Sequence, residues 1–251
     1  MAERKIQAVF FDIGETLLNF GRVDVISLFE RGGRLAYDFL KKFDQPTGSP
    51  RFFLLRHLWM IRIFRIWSAI SGRDFDSFEL LKKIERKRGV RLSGQEWQDF
   101  GWCWYEPLSR LAKTEADIKQ TLGKLKQAGV KLGILSNTFI SAIMLERHLC
   151  EVGILDFFSV RLYSYQFGFR KPDSRIFTEA AKKMDCQPQN VLFVGDRLDI
   201  DIIGALKANM LAAIKTAYTN TTKNIPQNVI RIDKLSELPQ LISQINGQQS
   251  G

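Results

Sequence analysis

The 251-residue chain is expected to form an α/β protein, a doubly wound parallel sheet interrupted after its first strand by a helical insertion. Three observations carry this expectation. Short apolar runs rich in strand formers recur at 6–11, 131–135, 158–162, 191–194 and 211–214, each about as long as a strand buried on both faces. From about Thr114 onward, amphipathic helical patterns separate most of these runs. Between Phe20 and Leu111 no comparable strand run occurs, and helical periodicity with Arg and Lys dominates.

The first run ends at Asp12-Ile13-Gly14-Glu15-Thr16, a turn by composition. In the insertion, Asp44-Gln45-Pro46-Thr47-Gly48-Ser49-Pro50 is a loop, and Ser93-Gly94-Gln95-Glu96 is a capping-box start for a helix carrying Trp97, Phe100 and Trp104. A later helix is expected from around Thr114, with Asp117 three residues on, Ile118, Leu122 and Leu125 as its apolar stripe, and Gly129 as its stop. Another follows Pro172 through Ile176, Phe177, Ala180 and Ala181. A third runs from about Leu198 to Ala208, with Asn209 available for a left-handed cap. The polar tail, 246–251, is expected to fray.

Composition narrows the function classes. Hydrophobic residues at 45% and charged residues at 25% are ordinary for a globular protein and exclude a disordered or collagen-like chain. Cys103, Cys150 and Cys186 are far apart and form no CxxC pair, which argues against a disulfide framework or structural zinc. With only His57 and His148, a histidine-rich metal site is excluded as well. The apolar stretch within 1–11 is too short for a signal peptide, so a cytoplasmic location is expected. Lys and Arg number 37 against 27 acids, a net charge of +10. That balance favours phosphate-bearing partners (a phosphorylated substrate, nucleic acid or an anionic membrane surface) without choosing among them.

Ligands of an open parallel sheet bind at the carboxyl ends of its strands, so the residues found there are informative. The first strand ends in Asp12, the 131–135 run leads into Ser136-Asn137, and the 191–194 run leads into Gly195-Asp196, with Asp199 and Asp201 close behind. Lys171 precedes Pro172-Asp173 ahead of the next helix. Carboxylates from two strand ends, a hydroxyl and an ammonium group converging on one crevice could hold Mg²⁺ and a phosphoryl group. A carboxylate in line with phosphorus can act as the nucleophile.

Phe11-Asp12-Ile13-Gly14-Glu15-Thr16-Leu17, Leu135-Ser136-Asn137, Arg170-Lys171-Pro172-Asp173 and Val194-Gly195-Asp196-Arg197-Leu198-Asp199-Ile200-Asp201 resemble, in order, the four motifs of the haloacid dehalogenase superfamily. The resemblance implies a Rossmann-like core at 1–20 and 112–251 and a helical cap domain at 21–111. It implies Asp12 as nucleophile, Ser136 and Lys171 as phosphoryl binders, and Asp12, Asp196, Asp201 and the carbonyl of Gly14 around Mg²⁺. Thr16 would orient the first loop, and Asn137 joins the expected substrate-binding set.

One position departs from the pattern. Phosphatases of the superfamily carry a second aspartate two residues after the nucleophile, as general acid and base, where this chain has Gly14. Losing a positioned general acid typically costs roughly 10²–10⁴-fold in rate. Adjacent Glu15 is the nearest substitute, and turn geometry could aim it at the leaving oxygen. Neighbouring residues on extended chain point to opposite sides, however, so a surface or loop-bracing carboxylate is the favoured expectation. Retention of Asp196 and Asp201 argues against a metal-free dehalogenase. Phosphonate cleavage would need a cap lysine such as Lys41 or Lys42, and nothing around either marks it out.

The expected function is therefore a Mg²⁺-dependent phosphatase for a small phosphorylated metabolite, acting through an aspartyl phosphate and weakened by Gly14. The alternative is a non-catalytic member that binds a phospho-ligand or a partner. Trp102, Trp104 and Tyr105 are expected to pack at the cap–core hinge, and no nucleic-acid partner is expected. The segment 51–67, RFFLLRHLWMIRIFRIW, is too short and too charged to span a membrane. Its arginines Arg51, Arg62 and Arg65 fall on one side of a helix, which could rest on an anionic membrane. The simpler expectation is a cap helix that buries its apolar face against its neighbours.

Overall fold

A computed structural model of the chain describes residues 5–222, 224–226 and 229–247. Six strands form one parallel sheet: β1 (Ala8–Phe11), β2 (Lys131–Ser136), β3 (Val160–Tyr163), β4 (Val191–Gly195), β5 (Leu211–Lys215) and β6 (Ile230–Ile232). Their order across the sheet is β3-β2-β1-β4-β5-β6. The chain thus winds outward in both directions from β1, and the crevice between β1 and β4 is the switch point where such sheets bind ligands. All four β1 residues and all five β4 residues are buried, as expected of strands covered on both faces. Each phenylalanine buried there, such as Phe10 or Phe193, contributes on the order of 2 kcal/mol.

Between β1 and β2 lie four cap helices: α1 (Val25–Lys42), α2 (Pro50–Ser71), α3 (Ser77–Lys87) and α4 (Gly94–Ser109). Helix α4 begins with the expected capping box, Ser93 Oγ accepting from Glu96 N and Glu96 accepting from Ser93 N. Helices α1 and α4 pack closely because Gly32 faces the Trp104 main chain, where a Cβ would lie 2.6 Å from the carbonyl oxygen. Helices α5 (Ile118–Gln127), α6 (Ala142–Val152), α7 (Ser174–Lys183), α8 (Ile203–Lys207) and α9 (Leu238–Gly247) complete the core. Helix α5 packs on β2 and α9, so it belongs to the sheet and not to the cap.

Three details differ from the sequence expectations. Helix α5 starts at Ile118 with Asp117 as its cap residue, four residues beyond the expected start. Strand β6, only three residues long, is not foreseen because a run that short carries no period. The fraying expected of the tail does not begin at Asn246, whose side chain exchanges hydrogen bonds with the main chain of Ile6; 248–251 lie outside the described residues. Asn209 does take the left-handed conformation expected of a cap, at φ +62°.

Helix α2 overturns the expectation that its apolar face is buried. It buries Phe53, His57 and Ser68, while Phe52, Leu55, Trp59, Ile63, Ile66, Trp67 and Ile70 are exposed to solvent. Its apolar residues outnumber what one packed face can cover. No described helix is long and apolar enough to cross a membrane.

Candidate active site

Strands β1 and β4 are neighbours in parallel register, Phe11 opposite Val194, and the amide of Asp12 continues the ladder by donating to Val194 O at 2.9 Å. Side chains leaving the two strands at this level are held within about 5 Å by the sheet spacing alone. Asp12 and Asp196 therefore face one another at the switch point. Beyond Asp196 the chain makes one wide π-type turn, Leu198–Ile202, before α8. That turn swings Asp201 back under Gly195, where Arg197 N donates to its Oδ2 at 3.0 Å. Only glycine fits at 195, because a Cβ there would lie 2.5 Å from the Asp201 carboxylate.

Asp12, Asp196 and Asp201 each present a carboxylate oxygen, all within 4.8 Å of one another. Lys171, buried, reaches into the cluster with Nζ 2.6 Å from Asp201 Oδ1, 3.0 Å from Asp12 Oδ1 and 3.1 Å from Leu135 O. The lysine ammonium is thus ion-paired with both Asp12 and Asp201. Burial alone would lower the Lys171 pKa, but Asp12 and Asp201 outweigh it and hold the ammonium charged. Burial, with the charges of Asp12 and Asp201, pushes Asp196 up to about 7. Burial likewise raises Asp201, against the opposing effect of Lys171.

Three carboxylates against one ammonium leave the cluster short of positive charge. Three carboxylate oxygens converging within 4.8 Å fit a hard divalent cation with oxygen ligands. Asp12, Asp196 and Asp201 could together hold such an ion, and an all-oxygen donor set is one that suits Mg²⁺.

The remaining expected residues divide by what they touch. Ser136, buried at the end of β2, stands on the far side of β1 from Asp196. Thr16 is buried with an unpaired hydroxyl in the turn after β1. The amide of Asn137 is occupied by the main chain of Lys171, Nδ2 donating to its O at 2.8 Å and Oδ1 accepting from its N at 3.0 Å. Asn137 thereby fixes Lys171. Gly14 has open space about it: a Cβ there would meet no atom within 4 Å, and its φ is not positive, so neither packing nor backbone requires glycine. Glu15 Oε1 accepts from Phe20 N at 2.9 Å and Gly21 N at 3.0 Å, bracing the loop.

Two features are not foreseen from the sequence. Thr219 Oγ1 donates to Asp196 Oδ2, and Asn220 Nδ2 donates at 2.8 Å to both Asp196 O and Lys215 O. They follow β5, whose carboxyl end opens on the same crevice, and that position is their available signal. Arg170, one residue before Lys171, is not a solvated charge. Its Nη1 donates to Asp74 Oδ1 at 2.6 Å and to Ser68 Oγ at 3.0 Å, both in the cap. Asp74 also accepts from Ser164 Oγ, which in turn accepts from Thr138 N at 2.9 Å. Close by, Ser77 N donates to Phe139 O at 2.8 Å, and Ser141 Oγ to Asp76 Oδ2 at 3.0 Å.

Above this latch lies a cavity of about 240 Å³ between cap and core, lined by Phe29, Ile61, Trp104, Leu108, Phe139 and Met144 among others. Among the described residues, Arg65 is the one charged residue in its lining. Phe139 follows directly on Ser136-Asn137-Thr138, so the cavity adjoins the loop at the end of β2.

The family model of the haloacid dehalogenase-like hydrolases matches residues 6–209, which holds every motif of the crevice. The chain belongs to that family. It is 34% identical over 248 residues to glyceraldehyde 3-phosphate phosphatase of Methanothermobacter thermautotrophicus, covering 94% of this chain and all of that one. A protein of the same name from Methanopyrus kandleri is 37% identical over 209 residues, 82% of each chain. Within the haloacid dehalogenase-like hydrolases, this chain is a phosphatase. A phosphatase from Thermococcus onnurineus shares the fold with a TM-score of 0.60 at 23% identity, over 94% of this chain and 98% of that one. A 2-haloacid dehalogenase from Pseudomonas syringae reaches the same TM-score at 21% identity, over 95% and 99% of the two chains. The fold is thus common to hydrolases of different bonds and does not by itself fix the chemistry.

Proposed function

We propose that the protein is a Mg²⁺-dependent phosphatase that cleaves a small phosphorylated metabolite through an aspartyl phosphate on Asp12. The convergence of Asp12, Asp196 and Asp201 with the buried Lys171 supports this most directly. An Asp12 carboxylate oxygen attacks phosphorus, the bond from phosphorus to the leaving oxygen breaks, and water later cleaves the acyl phosphate. Lys171 and Ser136 bind the phosphoryl oxygens, and Asn137 holds Lys171 for that purpose. Mg²⁺, when bound, supplies positive charge against the phosphoryl oxygens and relieves the repulsion among the three carboxylates.

No side chain at position 14 can hand a proton to the leaving oxygen, and Glu15 is engaged with Phe20 and Gly21. Alkyl phosphates are therefore slow substrates, and acyl or aryl phosphates, whose leaving groups need less protonation, fare relatively better.

The names of the relatives put glyceraldehyde 3-phosphate first among substrates to try. The apolar cavity supports a second reading, in which the alcohol carries an apolar body with one anionic group toward Arg65. The test is phosphate release with Mg²⁺ over acyl, aryl, triose and other sugar phosphates, for wild type, Asp12→Asn and Gly14→Asp. Loss of turnover in Asp12→Asn and faster alkyl turnover in Gly14→Asp are expected. Activity that survives Asp12→Asn overturns the mechanism. A silent wild type beside an active Gly14→Asp assigns the native chain a ligand-binding role.

A further inference from the structure

Helix α2 carries an apolar stripe that the rest of the chain does not cover. Phe52, Leu55, Trp59, Ile63, Ile66 and Ile70 recur every three or four residues along its 22-residue length, with Ile70 83% and Phe52 72% exposed. At 1.5 Å per residue the ridge is about 30 Å long. Scattered exposed apolar residues need no explanation, whereas a continuous ridge of this length does.

The helix is held firmly from its other side. Phe53 and His57 are fully buried, His57 Nδ1 lies 2.8 Å from Phe53 O, and Glu85 of α3 contacts Arg56 at 2.5 Å and His57 Nε2 at 3.1 Å. The stripe is therefore presented rigidly, on an anchored helix, as a convex ridge.

We infer that α2 seats the protein on an anionic lipid bilayer, lying in the plane of the interface. Charge argues for that occupant. Among its 22 residues α2 has no Asp or Glu, and Arg51, Arg62 and Arg65 are exposed on one flank of the stripe, with exposed Arg73 just beyond the helix. The whole chain adds a net charge of +10. Apolar side chains entering the acyl boundary beside arginines that reach phosphate headgroups is the arrangement of an interfacial helix, and Trp59 and Trp67 suit the same depth. A second copy of the chain fits poorly. An antiparallel pairing of two α2 helices would have its axis near the middle of the stripe, bringing two Arg62 side chains together with no acid on either helix to separate them. The contact reaches the catalytic half of the molecule through stacked rings: Trp67 meets Phe64, Phe64 meets Phe75, and Phe75 stacks on Phe139 at 5.8 Å.

The experiment is co-sedimentation of the full-length protein with phosphatidylcholine vesicles, with and without phosphatidylglycerol, at low and high salt. Trp59→Ser/Ile63→Ser and Arg62→Glu are tested beside wild type. Wild type is expected to bind the anionic vesicles, to bind neutral ones at least about tenfold less, and to be released by salt. Each variant is expected to lose about tenfold in vesicle affinity while keeping the wild-type melting temperature, since all three residues are exposed. Absence of binding to anionic vesicles, or equal binding by wild type and both variants, overturns the inference. A concentration-dependent dimer that Trp59→Ser/Ile63→Ser makes monomeric also overturns it, by assigning the ridge to a second copy.

Discussion

Arg170 Nη1 donates to Asp74 Oδ1 at 2.6 Å, joining the residue before Lys171 to the segment between α2 and α3 of the cap. Asp74 is also the acceptor for Ser68 and Ser164, so one carboxylate ties the cap to the loops that carry Lys171 and Thr138. Asp74→Ala would leave three donors without their acceptor, at a cost of about 1–3 kcal/mol. For a chain of this length that corresponds to roughly 3–10 °C in melting temperature. The expected kinetic effect is a fall of about tenfold in kcat/KM, partly restored in Asp74→Asn, which keeps an acceptor oxygen. A lowered melting temperature with unchanged kcat/KM would mean that the latch serves stability alone.

Gly195 and Asp201 make a sharper test of the proposed metal site. A methyl group at 195 would sit 2.5 Å from the Asp201 carboxylate, and the residue lies on a fully buried strand that cannot yield. Gly195→Ala should displace Asp201 from Asp12, Asp196 and Lys171 while the sheet stays paired. Mg²⁺ affinity, measured by calorimetric titration, is expected to fall by roughly 10–100-fold. Asp201→Asn should reproduce the loss without the steric change. Unaltered Mg²⁺ binding in Gly195→Ala would remove Asp201 from the ligand set.

The loop after β5 supports Asp196 in two separable ways. Asn220→Ala strips donors from the buried carbonyls of Asp196 and Lys215, which costs about 2–4 kcal/mol, or roughly 5–15 °C in melting temperature. Thr219→Val removes only the hydroxyl that holds the Asp196 carboxylate. It should leave the melting temperature nearly unchanged and weaken Mg²⁺ binding by roughly tenfold. The reverse pattern, a stability loss in Thr219→Val without a change in Mg²⁺ affinity, would make Thr219 a structural residue.

What could be foreseen here follows from how local the causes are. Asp12, Ser136 and Asp196 end apolar runs, and a parallel sheet puts strand ends together whatever lies between them in sequence. Lys171 is marked by its motif, although its reach to Asp12 and Asp201 needs the tertiary fold. Thr219 and Asn220 lie in a polar loop whose composition resembles any turn, and only their backing of Asp196 distinguishes them. In α2 the period is evident but its outcome is not. Apolar residues on nearly all sides leave the buried face undetermined until α1, α3 and α4 have chosen Phe53 and His57.

Tyr105 of α4 and His148 of α6 give the molecule a pH dependence that crosses the cap–core boundary. Tyr105 Oη lies 2.9 Å from His148 Nδ1, and both side chains are buried. Burial lowers the His148 pKa below its usual 6.5, against a smaller raising effect of Glu151, and burial pushes the Tyr105 phenol well above its usual range. The phenol therefore donates to a neutral imidazole. Because the folded-state pKa lies below the unfolded one, the unfolded chain binds more protons in the interval between them. His148 thus contributes its full stability above about pH 6.5 and loses it as the pH falls from there toward the folded pKa, by up to about 1.4 kcal/mol per pH unit. Asp196 acts with the opposite sign, since its pKa is raised to about 7 and its stabilisation fades as pH rises. The difference between wild type and His148→Gln, melted side by side from pH 5 to 8, cancels the contribution of Asp196. Wild type should gain stability relative to His148→Gln as the pH rises toward 6.5, and the difference should level off above it. A constant difference across that range would mean that His148 is not held neutral by its surroundings.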